Sequence, residues 1–132
     1  MIYKFFEFKK IKIKNFKFFL FYGKNQGLKK SLIYDISGLY SPEEIDKYYE
    51  KEIIDDKENF FNSLLSGSLF DSRKVILVNN ATDKILNIIE SIYERNLDDI
   101  SLIINADILE KKSKLRSLFE KNKKFICIPC YP

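Results

Sequence analysis

Three short stretches hold the residue types that could do chemistry. Close to the end stands CIPC, Cys127 to Cys130. A redox site of this spacing needs a helix behind it, whose dipole lowers the thiol pKa, and here only Tyr131 and Pro132 follow. A zinc site would need two further Cys or His ligands, but the chain has two cysteines in all and no histidine. The expectation is no metal, and two small apolar side chains ending a buried strand.

The second stretch is GKNQGLKKS, Gly23 to Ser31, placed between an apolar run and a helical pattern. A phosphate-binding loop of the Walker type closes its backbone amides around phosphate between two glycines, then supplies Lys and a Ser or Thr hydroxyl for magnesium. With Gly23 as the first glycine, Leu28 falls where the second belongs. Lys29 takes the lysine position and Lys30 replaces the hydroxyl. The apolar run VILV then ends in Asn79 and Asn80, neutral amides where a hydrolytic site needs an acid to hold the magnesium network. A later run, SLIIN, ends in Asn105. Gly23, Gly27 and Lys29 therefore mark a degenerate phosphate loop, and no cofactor is expected.

The third stretch is SGSLFDSRKVILV, Ser66 to Val78, in which Leu69 and Phe70 sit between a glycine and a polar turn. At about 100° per residue, the stripe Phe60, Phe61, Leu64 and Leu65 continues at Ser68. Leu69 then lies roughly 110° and Phe70 roughly 150° from its centre. A pair so placed, rimmed by Ser68, Asp71, Ser72 and Arg73, suits contact with another molecule, provided the helix runs past Gly67. If the chain unwinds at Gly67, the pair folds back as a cap on the core.

These stretches are set among alternating elements. Apolar runs at residues 16–22, 48–53, 75–78, 100–104 and 125–128 read as strands, and helical spacing marks 26–37, 56–66, 81–94 and 107–122. Continuous apolar strands between amphipathic helices predict an α/β fold, a three-layer parallel sheet of about five strands with helices on both faces. A chain of 132 residues is one ordinary domain, spanning 1–132, able to bury a core without disulfides. No apolar run reaches the roughly 18 uncharged residues a membrane span requires. The N-terminal MIYKFFEFKKIKIKNFKFFLFYG lacks a small-residue cleavage site, so a cytoplasmic protein is expected. The 23 basic against 19 acidic residues give a mild +4, weak ground by itself for nucleic acid.

In their order, FYGKNQG, SGSLFDSRKVILV, LIINADILEKKSKLRSLFEKNKKF and the closing CIPCYP resemble the N-terminal domain of the bacterial DNA polymerase III delta subunit. The resemblance spans nearly the whole chain. It implies an ATPase-like fold of the P-loop (AAA+) type without an intact nucleotide site, and a clamp-loader component in DNA replication that does not hydrolyse ATP. The family's clamp-binding Leu-Phe pair maps onto Leu69 and Phe70, preceded by Ser68. The implied partners are the sliding clamp, whose ring the subunit helps to open, and the other clamp-loader subunits, with DNA contacted indirectly or weakly. The family's helical lid and collar domains have no counterpart in this sequence. Two other readings are a nucleotide-binding enzyme using Gly23, Gly27 and Lys29, and a nucleic-acid-binding domain using the lysines of Lys9 to Lys17 and Lys111 to Lys114.

Overall fold

The computed structural model describes residues 1–69 and 73–131, with the side chains of 67–69 outside that description. Among the described residues five strands form one sheet: β1 (Phe18–Tyr22), β2 (Ile45–Tyr49), β3 (Lys74–Ala81), β4 (Ile100–Ala106) and β5 (Phe125–Pro129). They are parallel throughout, in the order β2-β3-β4-β1-β5. Parallel neighbours need crossovers, and these are supplied by α1 (Gln26–Ser37), α2 (Glu50–Asp55), α3 (Lys57–Leu69), α4 (Leu86–Glu94) and α5 (Lys114–Lys121).

The period of two along a strand sends alternate side chains to opposite faces. Phe18, Leu20 and Tyr22 join Ile53, Phe60, Leu64, Ile88, Leu115 and Phe119 in one apolar layer under α2 to α5. Phe19 and Phe21 join Leu32 and Ile36 of α1 on the other face, completed by Phe8 from a short 3-10 helix, Phe5–Lys10. Burial on both faces is why the strand β1 reads FFLFY with no polar interruption. Met1 to Tyr3 run beside β5, where Tyr3 N–H donates to the Cys127 carbonyl and Cys127 N–H to that of Met1, so this edge is covered. Among the described residues no helix is long and apolar enough to cross a membrane.

Several expected boundaries are corrected. The strand placed at 48–53 is β2, Ile45–Tyr49, and α2 begins at Glu50. The reason is capping: Glu52 Oε1 accepts from Tyr49 N–H at 2.9 Å, which starts a helix where the sequence KYYEKEII suggested extension. The predicted helix 107–122 is reduced to α5, because the Asp83 carboxylate accepts from the amides of Lys114 and Leu115 and fixes the first turn there. Likewise β3 extends to Ala81, so the predicted helix 81–94 splits into a 3-10 turn at Asp83–Ile85 and α4. The predicted helix 26–37 coincides with α1.

Candidate functional site

At the carboxyl ends of the strands, β1 passes into α1 through Gly23, Lys24 and Asn25 alone. Gly23 has φ +125°, and a Cβ there would collide with the carbonyl of Cys130, so this position requires glycine. The turn is held on three sides. Gly23 N–H donates to the Asp107 carbonyl at 3.0 Å and Asn25 N–H to that of Cys130 at 3.1 Å, while the Asn25 side chain caps α1 by accepting from Leu28 N–H. Gly27 is the second residue of α1, exposed, and a Cβ there would meet the Asn25 Oδ1 at an ordinary 3.8 Å. It therefore lies in the first turn of α1 and not in the three-residue link from β1.

Lys29 faces inward. The residue is 2% exposed; its ammonium donates to the Ala106 carbonyl at 2.8 Å, and desolvation lowers its pKa. Gly23 and Lys29 thus both bond to the end of β4, which brings the two together, but toward the protein's own backbone. Beside them Asn105 Nδ2 donates to Asn79 Oδ1 at 2.8 Å, joining two of the three strand-end amides that the sequence singled out. Among the described residues Asn105 Oδ1 has no partner. The pairing exists because β4 is the direct neighbour of β3. Periodicity within a strand holds no information on that adjacency.

The thiols behave as expected of buried apolar groups. Both are free and buried, and burial pushes Cys127 up to about 12 and Cys130 up to about 11. Such groups stay protonated near neutral pH and are poor nucleophiles.

At the opposite, amino ends of the strands, α3 continues through Gly67 and ends at Leu69, so the helix persists where it could have unwound. Ser68 and Leu69 lie in its last turn, their side chains outside the described residues, and Phe70 lies outside them altogether. The chain resumes at Arg73, whose guanidinium lies 4.9 Å from the centre of the Tyr40 ring and 3.4 Å from the Glu44 carboxylate. The ring is anchored in turn, since Tyr40 Oη and Ser101 Oγ are 3.1 Å apart. Sequence reasoning gave Arg73 only a rim role and missed this clasp, which joins three segments distant along the chain. The turn at Gly23 and the last turn of α3 accordingly belong to opposite ends of the sheet.

No protein-family model matches the chain, and no curated protein matches it.

Proposed function

We propose that this chain is a clamp-loader domain of the DNA polymerase III delta type, which binds the sliding clamp through Leu69 and Phe70 and helps to open the ring without hydrolysing ATP. The observation that supports it most is the course of α3: the helix holds through Gly67 and ends at Leu69, on the side of β3 away from the turn at Gly23. The turn at Gly23 supports the second half. Three residues bound to Asp107 and Cys130 make a short link between strand and helix, and Lys29 is engaged with Ala106. The AAA+-like identity of the sheet, the cytoplasmic location and the assembly with other loader subunits belong to the same reading.

A Leu and a Phe entering a preformed apolar pocket would each contribute on the order of 1.5 to 3 kcal/mol, enough to dominate a small reversible contact. Opening then needs only a preference for the sprung ring over the closed one, and shifts that equilibrium by the affinity difference and no more. Surface plasmon resonance over immobilised clamp tests the reading. Saturable binding by the wild type, lost in a Leu69→Ala, Phe70→Ala double variant with an unchanged circular dichroism spectrum, is the expected outcome. A wild type that fails to bind removes the partner, and equal binding by both removes the site.

A further inference from the structure

The chain's positive charge is concentrated at one end. Residues 1–17 hold six of the 23 basic residues and one of the 19 acidic ones, leaving 17 basic against 18 acidic over the rest. The whole excess therefore resides in a segment that the fold holds in place. Phe8 is buried in a T-shaped contact with Phe21, 5.9 Å between centroids, and Met1 to Tyr3 bond to β5, while Lys4, Lys9, Lys10, Lys12 and Lys14 stay exposed.

Two grooves meet on this segment. One, of about 300 Å³, is lined by Tyr3, Lys10, Lys12 and Phe16 among others; the second, of about 720 Å³, includes Lys17, Tyr93, Lys123 and Lys124. Asn15 and Phe16 line both, so the two adjoin. Acids are present but few. Glu7, in the first groove, accepts from Lys4 N–H, Glu94 lines the second, and Asp98 stands 3.3 Å from Lys17.

We propose that the two adjoining grooves form a track for single-stranded nucleic acid that passes over Asn15 and Phe16, with phosphates along Lys10, Lys12 and Lys124 and bases against Tyr3, Phe16 and Tyr93. Lysine ammoniums interleaved with aromatic rings suit a strand that offers both phosphate and an unpaired base face. Neither groove contains arginine, so the planar fork that reads base edges is missing from their lining and binding should tolerate any sequence. A membrane surface fits less well, because it calls for apolar and basic residues on opposite faces of a helix rather than a concave mixed lining. This inference goes beyond the clamp-binding reading and stands independently of it.

Fluorescence anisotropy of a labelled oligothymidylate, titrated with the full chain over a series of salt concentrations, tests it. Saturable binding that weakens with salt is expected. The Lys10→Ala, Lys12→Ala, Lys124→Ala variant should bind at least about tenfold more weakly at low salt, with the log-log salt slope reduced by about two. Phe16→Leu, which keeps an apolar filling, should weaken binding about fivefold or more while leaving the slope unchanged. Absence of saturable binding at low salt, or undiminished binding by the folded triple variant, overturns the track. So does a duplex of equal length that competes as well as the single strand. Sedimentation with phosphatidylserine vesicles by a chain that ignores the oligonucleotide would assign the surface to membrane instead.

Discussion

Lys29 shows how one residue can satisfy a motif position and serve another purpose. In sequence it sits six residues after Gly23, where a phosphate-binding lysine belongs, yet its ammonium donates to the Ala106 carbonyl in a buried setting. Lys29→Ala should leave that carbonyl without a partner and lower stability by roughly 1 to 3 kcal/mol. Thermal melting would register the loss, while titration with a fluorescent ATP analogue should give the same trace for both proteins. Lost nucleotide affinity at unchanged stability would return Lys29 to a phosphate-binding role. Residue type and spacing made Gly23 and Lys29 visible in the sequence. What was not legible was the direction of the side chain, which depends on how few residues form the turn and on which strand end lies beneath it. Gly27 lies within α1, which begins before it.

Among the elements, α5 owes its starting point to a residue far away in the chain. Asp83 accepts from Ser113 Oγ at 2.6 Å and from the amides of Lys114 and Leu115, while Ser113 Oγ in turn accepts from Arg116 N–H. Burial pushes the Asp83 carboxyl up, but these hydrogen bonds more than offset it and hold the pKa below the usual carboxylate value. A depressed folded-state pKa means stability that is present above the unfolded value and lost as pH falls through the folded one. Asp83→Ala should therefore cost about 1 to 2 kcal/mol at neutral pH, with the difference shrinking in acid. Urea denaturation of both proteins at neutral pH and near pH 3 (about one unit below the ordinary carboxylate range) measures it; a difference that stays constant would sink the argument. Helix α1 was legible because its cap, Asn25, and its apolar spacing are both local. The starts of α2 and α5 were not. One rests on Tyr49 meeting Glu52 in a stretch that equally suits a strand, and the other on a carboxylate about thirty residues upstream.

For the molecule as a whole, alternation of apolar runs with helical spacing was enough to indicate a parallel sheet covered on both faces. The order of strands was not, since any parallel order leaves each strand equally apolar. Strand β1 takes both its neighbours from the last third of the chain: Phe18 pairs with Leu102 and with Phe125. A version ending at Lys121, without β5, should consequently show no cooperative thermal transition by circular dichroism, and a native-like melt would contradict this dependence. The same pairing has a consequence during synthesis. FFLFY leaves the ribosome early and waits for most of the chain to be made before either partner strand exists, an interval in which exposed apolar strands tend to pair with one another between nascent molecules. The lysines of KKIKIKNFK immediately before it are placed where charge would hold such encounters apart.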